Sequence, residues 1–335
     1  MNANLPEWLN STYTESCSDY EAQCQSVRKG SVISLLSSFS LIHVSGEDAQ
    51  TFLQGQLSSD IRELTGANGQ FSSYSTAKGR VLASCLLWKF GSDYYILLSA
   101  DIAQAICKRL SMFIMRSRVT IMLSPGHVLI GLNGPHADAW LGAQLESLPV
   151  APLSLVSAAE GALCLRLPGG ALLLALESGQ AAKWQSPDPG SLAVIGPEAW
   201  SLLDIGAGIP WVEQNTQEQF VAQMINMDVI GGVSFSKGCY SGQEIIARTR
   251  YLGKIKRRMY RVQFSREAKS GDALYCPATG EQAIGMLVNI ARDENAQYTA
   301  LAVVQSVCWD DGVFLDKDNS VALGKLSLPY DLPDE

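Results

Sequence analysis

Between Leu41 and Leu123, apolar runs of strand length alternate with stretches of helical period, in the order strand, helix, strand, strand, strand, helix, strand. No other feature of the chain limits its fold as sharply. Leu41–Val44 reads as a strand. In the following stretch, from Gly46 to Ile61, Ala49, Phe52, Leu53 and Leu57 recur at helical spacing. Phe71–Ser75 and Val81–Phe90 flank the turn Ala77-Lys78-Gly79-Arg80, which is a hairpin pattern. After the strand Tyr94–Leu98, Asp101 is placed to cap a helix over Ile102–Met115, and Val119–Leu123 is again strand-like. A sheet with helices on one face accounts for this order, so the fold class expected is α+β. A shorter α+β pattern follows in Val128–Leu132, a helix around His136–Leu145, and the strands Ala162–Leu167 and Leu172–Leu176, ending at the proline-marked stretch Ser186–Pro197.

Glu198–Gly208 resumes with a helix or strand, Gln217–Met227 reads as helical, and Val233–Phe235 as a short strand. Beyond Arg258 the texture changes: Tyr260, Val262 and Phe264 alternate, and Ala283–Ile290, Tyr298–Val304 and Val321–Leu326 are further short strands, the pattern of a small β-barrel or sandwich. A chain of 335 residues exceeds one ordinary core. The organisation expected is an extension over 1–30, an α+β unit over 31–125 completed by 198–250, a second α+β unit over 126–197, and a C-terminal β-barrel over 251–330.

A net charge of −8 argues against binding nucleic acid over the whole surface, so any such contact needs a local basic patch. The eight cysteines form no CxxC pair, and with only three histidines (His43, His127 and His136) they argue against a zinc site and for reduced thiols. The first 25 residues carry four acids and no base, unlike a secretory or transit leader. The most apolar stretch, Ala162–Leu176, is interrupted by Arg166 and Pro168 and does not read as a membrane span. A cytoplasmic protein without membrane contact is the expectation.

The segment with the most specific chemistry is Lys237-Gly238-Cys239-Tyr240-Ser241-Gly242-Gln243-Glu244. Ser241 with Glu244 three residues on matches a capping box, which places Cys239 just before a helix N-terminus. The partial positive charge there favours a thiolate, and Lys237 adds to that field. Gly238 and Gly242 allow close backbone approach to a ligand. The residues alone leave a second reading open, in which Glu244 merely caps and Cys239 is a small buried hydrophobe.

This octapeptide resembles the K-G-C-[aromatic]-[small]-G-Q-E signature of the YgfZ folate-binding family, which is similar to the aminomethyltransferase (T-protein) of the glycine cleavage system. Val44–Gly55 with Asp60, Lys78-Gly79-Arg80, Leu203–Pro210, and Phe220, Gln223 and Asn226 resemble further elements of that family, so the likeness spans roughly residues 31–330. The resemblance implies a GcvT-like ring of two ferredoxin-like α+β domains and a C-terminal β-barrel around a cavity for tetrahydrofolate or another folate. It implies a role in iron–sulfur cluster assembly or repair, serving iron–sulfur enzymes such as the tRNA methylthiotransferases. It makes Cys239, with Lys237, the functional pair. Trp200 and Phe39 are implied to line the folate site, and Phe220, Gln223, Asn226, Tyr240, Gln243 and Glu244 to complete its surroundings.

Two departures stand out. Aminomethyltransferases carry an acidic pair in the hairpin strand where this chain has Ala83 and Ser84, so a one-carbon transfer reaction, the rival reading, lacks its base there. Gly206 stands where the family often has a glutamate for the pterin edge, and Asp204 and Glu213 are the carboxylates able to compensate. Just after the octapeptide, Arg248, Arg250, Lys254, Lys256, Arg257 and Arg258 form a basic stretch without an acid. It suits RNA phosphate, a folate polyglutamate tail or an acidic partner face, and equally a solvated helix end.

Overall fold

The computed structural model describes residues 19–124, 126–157, 161–181, 184–188, 190–252 and 255–333. Three sheets share one central core. The first is antiparallel, in the order β3 (Gly69–Ser75), β4 (Val81–Phe90), β5 (Asp93–Ser99), β2 (Phe39–Ser45), β6 (Thr120–Leu123). Side chains on neighbouring strand positions point to opposite faces. Tyr94, Ile96 and Leu98 therefore pack beneath the helices Ala49–Gln56 and Ala100–Ser111, whereas Tyr95 and Leu97 face the centre of the molecule. Burial on both faces explains the run Val81–Trp88, apolar except for the buried Ser84. The second helix starts two residues earlier than expected, with Ser99 at its N-cap. Asp101 lies in the first turn, and its carboxylate accepts the Gln214 N–H at 2.8 Å.

The second sheet has the order β11 (Ala193–Ile195), β1 (Val32–Leu35), β7 (His127–Asn133), β10 (Leu172–Glu177), β9 (Leu163–Arg166), β8 (Leu155–Ser157), with β1 parallel to β11 and the other pairs antiparallel. Val32–Leu35 thus lies in this sheet, not in the one that begins at Phe39, because its backbone pairs with β7 and β11. Residues 19–30 are no loose extension either. Tyr20–Lys29 forms a helix that buries Cys24, and the buried Gln23 side chain accepts the Gly196 N–H at 2.7 Å.

The third sheet runs β13 (Ala273–Leu274), β14 (Gly285–Arg292), β15 (Tyr298–Gln305), β12 (Arg257–Phe264), β16 (Gly324–Leu326). Among the described residues its strand ladders do not close into the barrel expected, although Phe314 bridges both Tyr275, next to β13, and Ala322, just before β16. Its edge strands are two and three residues long and do not pair with each other. A bulge between Leu287 and Asn289 shifts the register of β14 against β15.

The segment from Ile209 to Val233 threads the core that all three sheets share, touching residues such as Trp88, Leu173 and Leu301. Gln217–Met227, expected as a helix, contains only a 3₁₀ turn over Ala222–Ile225. Its backbone is engaged elsewhere: the Val81 N–H donates to Phe220 O at 2.9 Å, and the Glu218 N–H donates to Val81 O at 2.8 Å. A helix would need those groups for itself. Among the described residues no helix is long and apolar enough to cross a membrane.

Candidate functional site

The octapeptide forms a loop docked on the β3–β4 hairpin, leading into the helix Gln243–Leu252. Along it, burial alternates. Lys237 is only 5% exposed, Gly238 and Cys239 are exposed, and Tyr240 is buried again. The Lys237 ammonium donates to Leu57 O and Ser59 O, each at 2.7 Å, and lies 5.0 Å from the centre of the Tyr240 ring. Burial lowers its pKa to about 8, opposed by the charge of Asp60. Lys237 is therefore a clamp that ties the loop to the first sheet.

Two glycines complete the docking. Gly242, at φ +83°, lies so close to the hairpin that a Cβ would come 2.6 Å from Thr76 O and 2.9 Å from the Gly79 Cα. Gly79, at φ +70°, faces Ile245, whose Cβ would be 2.8 Å from an added Cβ. Both positions require glycine on conformation and on space. The expected capping box does not form, because the Ser241 hydroxyl donates to Ser75 O at 3.0 Å across to the hairpin. Glu244 is exposed and Gln243 half-buried at the start of the helix. Of the described cysteines, Cys24, Cys85, Cys107, Cys164, Cys276 and Cys308 are buried and only Cys239 is exposed. Burial pushes the Cys164 thiol up to about 12 and raises Cys85 as well. This makes those thiols inert at neutral pH and leaves Cys239 as the accessible thiol among the described residues.

A separate cavity of about 290 Å³ opens between the first and third sheets, beside the helix Pro197–Gly206. Phe39 of β2, Asp101, Trp211, Glu213 and Asn289 of β14 line it. The helix Pro197–Gly206 adds Ser201, Asp204 and Ile205, which its 3.6-residue period puts on one face. Phe39 and Trp211 meet edge to face with centroids 4.7 Å apart. Asn289 accepts the Trp211 N–H and donates to Trp211 O, both at 2.8 Å, and also donates to Glu213 Oε1 at 3.0 Å. Ser270 donates to Glu213 Oε2 at 2.6 Å. Burial raises the Glu213 pKa against these bonds. Burial also lifts Asp204, 6% exposed, to about 7, with the indoles of Trp211 and Trp200 pulling it back.

The residues expected from the sequence divide into distinct groups. Phe39 lines the cavity. Trp200, 1% exposed, does not; its ring packs on Gly131, where an added Cβ would lie 2.6 Å away. The cavity indole belongs to Trp211, for which the only hint in the sequence was an aromatic directly after Pro210. Phe220, Gln223 and Asn226 are buried scaffold. Gln223 donates to Ile246 O at 2.7 Å. Asn226, at φ 56°, donates to Met259 O at 2.8 Å and accepts the Met259 N–H at 3.3 Å. Ser84, in the place of the aminomethyltransferase acid, accepts the Val212 N–H at 2.8 Å and is buried with Ala83. Gly206 has open space where a side chain would begin.

Arg248, Arg250 and Lys256 are exposed and Arg257 half-buried, while Lys254 lies outside the described residues. Arg250 stacks over the Phe235 ring at 3.9 Å. Arg258 leaves the basic patch altogether. At 4% exposure it pairs with both oxygens of Asp228, at 2.7 and 3.1 Å, and donates to Gln223 O. A guanidinium at that depth is tolerated only when paired.

The tRNA-modifying protein YgfZ of Edwardsiella ictaluri (strain 93-146) is 32% identical over 228 residues, covering 68% of this chain and 69% of that protein. The chain belongs to the YgfZ family. The YgfZ protein of Klebsiella pneumoniae (strain 342) aligns over more of its length, at 27% identity across 310 residues, 89% of this chain and 93% of that one. The family model described as the GCVT N-terminal domain matches residues 2–164 of this YgfZ-family chain. Among solved structures, the glycine cleavage system aminomethyltransferase T from Bartonella henselae superposes with a TM-score of 0.77 at 18% identity, covering 92% of this chain and 89% of that one. The YgfZ-family chain therefore has the mixed α/β, several-sheet fold of that protein.

Proposed function

We propose that this protein binds tetrahydrofolate or another folate in the cavity between Phe39, Asp204 and Trp211. In this reading it presents Cys239 to iron–sulfur enzymes such as the tRNA methylthiotransferases, in the cytoplasm, and supports tRNA modification as an accessory to cluster assembly or repair. The units over 31–125 with 198–250 and over 251–330 would wall that cavity, with the unit over 126–197 packed on the shared core. The observation that carries the reading is the exposure of Cys239 on a loop held by Lys237, Ser241 and Gly242, while the other described cysteines are buried. The relatives' name, tRNA-modifying protein, supports the pathway. A cavity with an aromatic pair and a buried carboxyl suits a flat, polar ring. At about 290 Å³ it takes the ring head, with the rest of a folate extending outward.

Aminomethyl transfer fits less well, because Ala83 and Ser84 offer no carboxylate and the Ser84 hydroxyl is committed to Val212. Direct RNA contact has one observation in its favour, the exposure of Arg248, Arg250 and Lys256 beside the cysteine loop on a chain of net charge −8. The deciding experiment replaces Cys239 with Ala in cells and measures methylthiolated nucleosides in tRNA. The reading requires their level to fall while the purified variant melts like the wild type. Unchanged methylthiolation would reject it.

A further inference from the structure

Two of the buried cysteines meet inside the third sheet. Cys276 lies two residues beyond β13, at the N-cap of the turn Pro277–Thr279, and Cys308 lies in the 3₁₀ turn Ser306–Trp309 that follows β15. Ile284 draws these turns together, because its N–H donates to Leu274 O at 2.8 Å and its carbonyl accepts the Gln305 N–H at 3.1 Å. At 0% and 2% exposure, Cys276 and Cys308 share the core on one face of that sheet. The Cys276 thiol donates to Cys308 O at 3.9 Å, and the two thiols are hydrogen-bonded to each other. Cys85, by contrast, donates to a carbonyl of the neighbouring strand, Ser72 O at 3.4 Å. The cover over the pair is thin, since Val307, next to Cys308, is 64% exposed. Burial, then the hydrogen bond to Cys276, pushes the Cys308 thiol up to about 11, so little thiolate is present at neutral pH.

We infer that Cys276 and Cys308 are a site of covalent modification, a thiol pair that hydrogen peroxide converts to a disulfide and so staples the third sheet. Peroxide oxidises one thiol to a sulfenic acid; its O–O bond breaks and one water leaves. The second sulfur then attacks the first, the S–S bond forms, and the sulfenic hydroxyl leaves with the second thiol's proton as another water. In sum each sulfur loses one electron, and the two peroxide oxygens are reduced to two waters. The second step needs no encounter, because the two groups already lie side by side. Burial makes the first step slow, so the exposed Cys239 reacts before the pair does. The new bond joins positions 32 apart in the chain. It ties Cys276, beside Tyr275 and its bridge to Phe314, to the turn whose Ser306 N–H donates to Lys256 O at 3.0 Å. A covalent link thus spans strands whose hydrogen-bond ladders do not close, and it restricts the unfolded chain.

The test uses the full-length protein carrying Cys239→Ser, which removes pairing between molecules through the exposed sulfur. It is held in hydrogen peroxide at neutral pH, then denatured in an alkylating agent and mapped by mass spectrometry without reduction. The expected result is a linked peptide joining Cys276 to Cys308, lighter by two hydrogens than the sum of its parts. The oxidised protein should also melt at a higher temperature than the untreated one, and dithiothreitol should return it to the starting value. Adding Cys308→Ser should abolish both the linked peptide and the rise. Recovery of Cys276 and Cys308 as alkylated thiols, or as sulfinic or sulfonic acids, overturns the inference. So do cross-links scattered over several cysteines, and so does a Cys276–Cys308 link that leaves the melting temperature unchanged or lower. Should the Cys308→Ser protein fail to fold, the peptide map and melting of the parent protein decide by themselves.

Discussion

Replacing Lys237 with Met isolates the clamp under the cysteine loop. The side chain keeps its length but loses the ammonium, leaving Leu57 O and Ser59 O without the donor each has at 2.7 Å. An orphaned buried carbonyl costs on the order of 1–3 kcal/mol. Opposing this, burial lowers the lysine pKa from its ordinary 10.5 to about 8, so the wild type bears a cost for keeping the ammonium buried that Met does not. At neutral pH the two orphaned carbonyls, about 2–6 kcal/mol together, are offset by relief of a burial cost of about 3 kcal/mol, so Lys237→Met should lose no more than about 3 kcal/mol there. Their pH dependence separates them. With the folded pKa below the unfolded one, the unfolded chain binds more protons between pH 8 and 10.5, so the lysine's contribution rises with pH across that window. Urea denaturation followed by circular dichroism at about pH 7.5 and 9.5 should show the wild type's advantage over Lys237→Met growing by about 2 kcal/mol, the other titrating groups being common to both. A gap that stays constant or narrows would mean the lysine is not held in a desolvated site, and the clamp argument would fail.

Gly242→Ala places a side chain at φ +83° and within 2.6 Å of Thr76 O, and should destabilise by at least about 1–2 kcal/mol in thermal or chemical unfolding; a wild-type melt would show that the loop does not dock on the hairpin as described. Arg258→Met strands Asp228 in a buried site and should cost about 3–5 kcal/mol, against no more than about 0.5 kcal/mol for Lys256→Gln at the surface. Equal effects of the two would refute the division of the basic stretch into a buried and an exposed part. Brief alkylation of the native protein followed by peptide mass mapping should label Cys239 ahead of the six buried cysteines, and comparable labelling of Cys85 or Cys164 would contradict their burial.

The sequence carried the parts of the fold that depend on short-range pattern. The apolar run Tyr94–Leu98 marks a strand, though only the structure shows which of its side chains face the centre, and Lys78-Gly79-Arg80 marks the turn on which the cysteine loop docks. It did not carry what distant segments decide. Val32–Leu35, placed by the sequence only within the unit starting at residue 31, joins the second sheet because β7 and β11 pair with it. Gln217–Met227 has helical spacing, but its carbonyl and amide bonds go to Val81. Ser241 and Glu244 have capping-box spacing, yet the serine hydroxyl finds a carbonyl on another strand. Trp200 and Trp211 differ only in which sits over Gly131 and which faces the cavity, a matter of packing that no local motif records. Arg258 looks like its basic neighbours, and only Asp228, 30 residues upstream, removes it from the surface.

The apposition of Gly79 and Gly242 has a temporal side. The hydroxyl and carbonyl that seat the loop, on Ser241 and Ser75, are 166 positions apart along the chain. A ribosome must therefore have released the hairpin long before the segment that leans on it emerges. The exposed sulfur cannot take its place until both have met, so only a completed molecule displays it in this setting, and a truncated or half-folded copy has no such feature to offer a partner.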